Sequence, residues 1–204
     1  MKIRLLGDLH GDPVKINKLK QSLHFYDLTI QLGDFGIGFG AEQYLKNTDS
    51  EKLKILLGNH DHWEELEKFP HALDRYGILE LNGKKIFYIG GAYSQDIAER
   101  IPGLSWWYSE QLSLRELEDC LTLYENNCQE IDIMLSHDCP INCGQNILGY
   151  FPYENTTNKL LYEAWKIKEP KLWFFCHYHR QFVKKIGNTN FQCLSINEEF
   201  ILEI

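Results

Sequence analysis

The sequence predicts a single α/β domain, a sandwich whose strands lie in one mixed sheet or in two sheets with helices outside. Three observations carry this reading. Apolar runs of strand length alternate with amphipathic stretches along the chain. The N-terminal segments follow one another as strand, helix and strand at the spacing of right-handed βαβ units, which favour a largely parallel sheet. No Gly/Ser-rich or Pro-rich linker interrupts the 204 residues, a length that buries one full core.

Taken in order, Lys2 to Gly7 reads as a strand. Asp12-Pro13 then opens a helix running to about His24, with Asp12 as N-cap and Pro13 at the first helical position. Leu28 to Leu32 and Leu53 to Gly58 are the next strands. Ile78 to Leu81 and Lys85 to Ile89, joined by Asn82-Gly83, form a hairpin signal, because Asn-Gly suits a two-residue turn with positive φ. A Gly- and aromatic-rich loop runs from Gly90 to about Tyr108. Leu112 to Tyr124 is helical, Ile131 to Leu135 a buried strand, Thr156 to Lys166 a helix and Leu172 to Cys176 a strand. Gln181 to Ile204 reads as a meander of three antiparallel strands, turning near Gly187-Asn188 and Asn197-Glu198.

Composition narrows the function classes. Hydrophobic residues make up 44% and charged residues 25%, ordinary for a soluble globular chain. The formal net charge of -8 disfavours duplex nucleic acid, whose binding depends on Lys and Arg replacing counterions, and favours a small phosphorylated substrate. Six cysteines form no CxxC pair and read as reduced, buried thiols. The N-terminal segment is too short for a signal-peptide core, and no apolar run reaches membrane-spanning length, so a cytoplasmic location is expected.

The chemistry concentrates in five short segments, each just past a predicted strand: Gly7-Asp8-Leu9-His10, Gly33-Asp34, Gly58-Asn59-His60-Asp61, Ser136-His137-Asp138 and Cys176-His177-Tyr178-His179. In open α/β sheets that rim binds ligands. Two carboxylates (Asp8, Asp34), one amide (Asn59) and five imidazoles (His10, His60, His137, His177, His179) can therefore converge. Any one of these histidines alone would read as structural, and a lone Gly-Asp as a turn. Together they suit divalent metal ions, and there are more donors than one ion takes.

The ordered set Asp8-x-His10, Gly33-Asp34, Gly58-Asn59-His60-Asp61, His137 and His177-x-His179 resembles the signature of the calcineurin-like metallophosphoesterases, over about residues 3 to 180. The resemblance implies a four-layer α/β sandwich of two mixed sheets flanked by helices, spanning residues 1–204 as one domain. It also implies a dinuclear metal site that hydrolyses phosphate esters, the nucleophile being a water or hydroxide bridging two ions. Asp8, His10 and His179 would bind the first metal, Asn59, His137 and His177 would complete the second, and Asp34 would bridge them. His60 would remain unligated and protonate the leaving group, a task His performs near neutral pH. The ions expected are Mn²⁺, Fe or Zn²⁺, since ligand chemistry alone does not choose.

Where relatives usually have Gly before the last His-x-His, this chain has Cys176. Gly33-Asp34-Phe35-Gly36-Ile37-Gly38 lacks the Arg of the protein Ser/Thr phosphatase branch, and Asp61 replaces its Glu, which argues against that activity. A nuclease of single strands or ends would want a basic groove. A non-catalytic scaffold would be marked by lost ligands, whereas all seven positions and His60 are present.

Asp61 either orients His60 or, the favoured reading, caps the helix through Trp63 and Leu66, as Asp61-x-x-Glu64 matches a capping box. His62, His24 and His71 read as exposed. A zinc site built from His137, Cys139 and Cys143 has the wrong spacing for known fingers. The loop from Gly90 to Tyr108, which resembles one in bacterial and phage members of the family, offers Arg100, Trp106 and Trp107 as substrate contacts; the alternative is that the tryptophans pack the loop and Arg100 is solvated.

Overall fold

The computed structural model describes residues 1–141, 146 and 154–204. Its strands are β1 (Lys2–Leu6), β2 (Leu28–Gln31), β3 (Leu53–Ile55), β4 (Tyr76–Leu81), β5 (Lys84–Ile89), β6 (Ile131–Ser136), β7 (Leu172–Phe175), β8 (Phe182–Ile186), β9 (Thr189–Cys193) and β10 (Glu199–Glu203). Its described α-helices are α1 (Pro13–Ser22), α2 (Trp63–Leu66), α3 (Leu114–Asn127) and α4 (Thr156–Ile167).

The strands form two mixed sheets. The first has the order β10-β1-β2-β3 and the second β4-β5-β6-β7-β9-β8. In the first, β1, β2 and β3 run parallel and β10 lies antiparallel to β1. In the second, β5, β6, β7 and β9 run parallel between antiparallel edges β4 and β8.

Period-two alternation sets the layers, since successive strand side chains point to opposite faces. Ile3 and Leu5 of β1, Ile86 and Tyr88 of β5, and Phe174 of β7 meet between the sheets. Phe87 and Ile89 of β5 and Trp173 and Phe175 of β7 face the other way, onto Cys120 and Tyr124 of α3 and Leu160, Leu161 and Ala164 of α4. Leu6, Leu53 and Ile55 pack on Ile16 and Leu19 of α1. The result is helix, sheet, sheet, helix: four layers, as the resemblance implies.

Local signals hold where they are short-range. Asp12 caps α1 by accepting from the Val14 and Lys15 amides. Asn82 and Gly83 take φ of 48° and 73°, the left-handed pair that a tight hairpin turn requires. The tail departs from the predicted meander. β8 and β9 form a hairpin, but β9 pairs parallel with β7, and β10 crosses to the other sheet and pairs with β1. His71 is also not exposed: only 2% accessible, it bonds the Thr48 carbonyl through Nε2.

Candidate metal centre

The ends of β2 and β3 in one sheet and of β7 in the other, with the loop after β5, line a crevice of about 280 Å³ that includes Asp34, Asn59, His60, Arg100, His177 and His179. Asp8 and His10, past β1, and His137, past β6, have donor atoms close to those of these residues. Side chains reach it through unusual backbone. His10, Asp34, His177 and His179 all have positive φ, between 49° and 69°. Non-glycine residues rarely adopt this region, and each instance costs roughly 1–3 kcal/mol, so such strain collects at functional sites. The glycines before Asp34 and Asn59 serve close approach. A Cβ on Gly58 would overlap the amide and carboxylate of Asp34, and one on Gly33 would overlap the His137 ring.

Two donor clusters share a carboxylate. Asp8, His10, Asp34 and His179 have ligand atoms all within 4.8 Å of one another, as do Asp34, His137 and His177. Asn59 joins the second, its Oδ1 lying 3.2 Å from His137 Nε2. His10 Nε2 and His179 Nε2 stand 2.8 Å apart, and His179 Nε2 is 3.1 Å from Asp8 Oδ2. His137 Nε2 lies 3.2 Å from Asp34 Oδ1.

The donor set fits divalent ions on an observation of its own. Asp8 and Asp34 are buried; Asp34 Oδ2 has no hydrogen-bond partner among the described residues, and Asp8 Oδ2 has none in hydrogen-bond geometry, only the His179 Nε2 contact at 3.1 Å. A buried carboxylate oxygen without a partner is expensive, and a cation satisfies it. The partner oxygens are already in use: Asp8 Oδ1 accepts from the His177 amide at 3.4 Å and Asp34 Oδ1 from the His60 amide at 2.7 Å. His137 Nδ1 lies 2.9 Å from the Leu32 carbonyl, which assigns the proton to Nδ1 and directs Nε2 inward, the outer-shell contact typical of a ligating imidazole.

Electrostatics follow the same arrangement. Burial lowers His10 and His177, keeping them neutral and able to ligate. Burial also opposes charge on His137, but the Asp34 carboxylate wins and pushes it up to about 10. A cation bound there would displace that proton, so binding releases protons. Burial, Arg100 and His10 push His60 down to about 4 against the pull of Asp34. His60 belongs to neither cluster, and its Nε2 is 2.6 Å from Arg100 Nη2.

Arg100 is not solvated. Its side chain is 6% exposed, paired with Asp96 at 2.7 Å and aimed at His60. Trp107 is buried, stacks on His62 with 4.6 Å between centroids and meets Phe39 edge-on at 5.4 Å. Trp106 lies against Tyr108 at 4.5 Å. Neither tryptophan lines the crevice. His62 is half-buried, and His24 is exposed as expected.

Asp61 corrects the capping reading. The residue preceding α2 is His62, and the Asp61 carboxylate is turned away from the helix. Buried completely, it accepts from the amides of Phe35, Gly36, Ile37 and Gly58 at 2.8–3.2 Å. It thus ties the Asp34 loop to the Asn59 loop. Burial first and then Asp34 push its pKa up to about 6. Asp61→Ala strands four buried donors at roughly 1–3 kcal/mol each before relaxation, so we expect a net loss of about 3 kcal/mol or more. Thermal unfolding should show Tm lower by roughly 6–12 °C at this chain length; an unchanged Tm would show that the clamp is idle.

Of the cysteines, Cys120, Cys128, Cys139, Cys176 and Cys193 are buried thiols outside any disulfide, and Cys143 lies outside the described residues, as does that part of the zinc reading. Cys139 Sγ donates to the Tyr178 hydroxyl at 3.6 Å rather than facing His137. Cys176 Sγ donates to the Leu32 carbonyl at 3.1 Å, so the thiol that replaces the usual Gly fits beside His137. Sequence reasoning missed Ser94 and Glu110, both buried polar residues behind Asn59.

Comparison with known proteins agrees with this fold. The sequence profile described as calcineurin-like phosphoesterase matches residues 1–181. No curated protein sequence matches the chain. Among solved structures, a candidate 5'-nucleotidase from Staphylococcus aureus, in complex with alpha-ketoglutarate, has a TM-score of 0.61 at 15% identity, covering 99% of this chain and 50% of that one. A Thermus thermophilus protein has a TM-score of 0.60 at 14% identity, covering 96% and 89%. A hypothetical protein from the same organism gives 0.52 at 17%, covering 96% and 77%. At these identities the likeness shows the fold, and the chain spans half the length of the Staphylococcus aureus structure.

Proposed function

The chain belongs to the calcineurin-like phosphoesterase family, and from that premise we propose that it hydrolyses esters of small phosphorylated substrates at a dinuclear metal site. The observation that carries the proposal is the pair of buried oxygens, Oδ2 of Asp8 and Oδ2 of Asp34, that no donor meets in hydrogen-bond geometry and that imidazoles ring. Asp8, His10 and His179 would hold one ion, Asn59, His137 and His177 the other, and Asp34 both. When bound, such a pair activates water at neutral pH and neutralises phosphate oxygens. Mn²⁺, Fe and Zn²⁺ all suit the donors. The domain is taken as residues 1–204, because β8, β9 and β10, beyond the matched segment, complete both sheets.

The chain's own residues supply the rest. His60 faces the crevice beside Arg100, in position to give a proton to a departing alkoxide. Its low pKa keeps the resting ring neutral, so its Nε2 accepts from Arg100. An entering phosphate would draw the guanidinium onto its own oxygens and, by its negative charge, favour protonation of His60. The crevice, about 280 Å³, has room for a phosphate and a small group. Monoesters and diesters both remain within this reading.

The net charge of -8 favours small substrates over duplex nucleic acid or a nuclease groove. Convergence of all seven donors disfavours a decayed scaffold. No described helix is long and apolar enough to cross a membrane. A cytoplasmic setting is proposed from the thiols outside any disulfide.

Two measurements bear on this. Chelator-stripped protein should be inert towards aryl phosphates and regain hydrolysis on adding Mn²⁺ or Zn²⁺; no rescue by any divalent ion would sink the enzyme reading. Arg100→Ala should raise KM by about 10–100-fold, the worth of a charge-assisted hydrogen bond, and more for substrates bearing a second charge. An unaltered KM would remove Arg100 from the substrate site.

A further inference from the structure

The amide of Asn59 has two ends of nearly equal shape, and only its oxygen can ligate a cation. The hydrogen bonds behind it decide which end faces the crevice. Asn59 Nδ2 donates to Ser94 Oγ at 3.1 Å. Ser94 Oγ donates to Glu110 Oε2 at 2.6 Å, and the Ser94 amide donates to Glu110 Oε1 at 3.0 Å. All three residues are buried: Asn59 is 2% accessible, Ser94 0% and Glu110 1%.

A hydroxyl has one proton. A carboxylate only accepts, so Glu110 takes the Ser94 proton and leaves Ser94 Oγ as an acceptor on its other side. That acceptor can be met only by the NH₂ end of Asn59. Oδ1 is thereby turned towards His137 Nε2, 3.2 Å away in the second donor cluster. The backbone holds the relay in place. The Ala92 amide donates to the Glu110 carbonyl at 3.2 Å, and the Gly91 amide to that of Leu57 at 2.9 Å, next to the strand-end turn that carries Asn59.

We propose that Ser94 and Glu110 are positioning residues for the second metal, acting through a chain of hydrogen bonds whose direction, set by Glu110, presents the oxygen of Asn59 to the ion. The proposal rests on the dinuclear reading above. It gives a task to the loop after β5 other than substrate contact: part of that loop is the outer support of a ligand.

Glu110→Gln is the informative change, because it preserves shape and reverses polarity. The new NH₂ group donates to Ser94 Oγ, the Ser94 proton turns to Asn59, and the amide is driven to present nitrogen. Calorimetric titration of chelator-stripped protein with Mn²⁺ reads each site separately. In the unaltered protein two ions should bind. In Glu110→Gln the affinity at one site should fall about 10–100-fold, the range for outer-shell changes, with the other site altered less than about 3-fold. Ser94→Ala, which keeps the backbone bond to Glu110, should produce the same one-site loss and serves if Glu110→Gln does not fold. If the unaltered protein takes two ions and the variants lose neither, or weaken both equally, the relay is wrong while the dinuclear site stands. If the unaltered protein takes fewer than two, the dinuclear site fails and the relay with it.

Discussion

His60→Ala should retain its metal and lose most of its turnover, with kcat down by about 10²–10⁴-fold, the range general acid catalysis supplies. The expectation follows from position. His60 is outside both donor clusters, and its Nε2 contacts Arg100 instead of a ligand. Its backbone amide bonds Asp34 Oδ1, and alanine keeps that amide; its ring meets the His10 ring edge-on with 4.8 Å between centroids, a packing contact and not a shared ion. The loss should depend on the leaving group. An aryl phosphate with an acidic phenol needs little protonation and should suffer least; an alkyl phosphate should suffer most. Steady-state kinetics across leaving groups, with metal content measured on the same samples, separates the alternatives. Loss of metal would make His60 a ligand, and a uniform loss across leaving groups would remove its role as acid.

Asp34→Asn should release both ions from tight binding and abolish activity. Asp34 is shared by the cluster that holds Asp8, His10 and His179 and the cluster that holds His137 and His177. Its Oδ2 is buried and unpartnered, while Oδ1 accepts from the His60 amide. An Asn of the same shape can keep the amide bond through its oxygen, but then turns an NH₂ group towards the cations. Affinity should fall by more than about 100-fold, the upper end of what outer-shell changes cost. Elemental analysis after gel filtration reads this directly. Two retained equivalents would show that Asp34 is not shared.

The features legible in the sequence are the local ones. Asp12-Pro13 and Asn82-Gly83 declare themselves because cap and turn chemistry acts over two to four residues. The strand-end segments were legible because glycine, acid and histidine recur where strands stop, and the family resemblance then supplied roles that spacing alone did not. β10 was misplaced because its residues suit any sheet edge; whether they pair with β9 or β1 is decided by tertiary packing. Asp61 was misread because its spacing to Glu64 mimics a cap, whereas three of its four partners lie 24 to 26 residues away. Glu110 drew no reading at all, because nothing nearby in sequence announces that its carboxylate is buried against Ser94.

Anomalous diffraction from crystals soaked in Mn²⁺ tests the central claim most directly. It should show two peaks about 3.5–4 Å apart, one against Asp8, His10 and His179, the other against Asn59, His137 and His177, both in contact with Asp34 and neither with His60. A single peak, peaks away from Asp34, or coordination by His60 would contradict it.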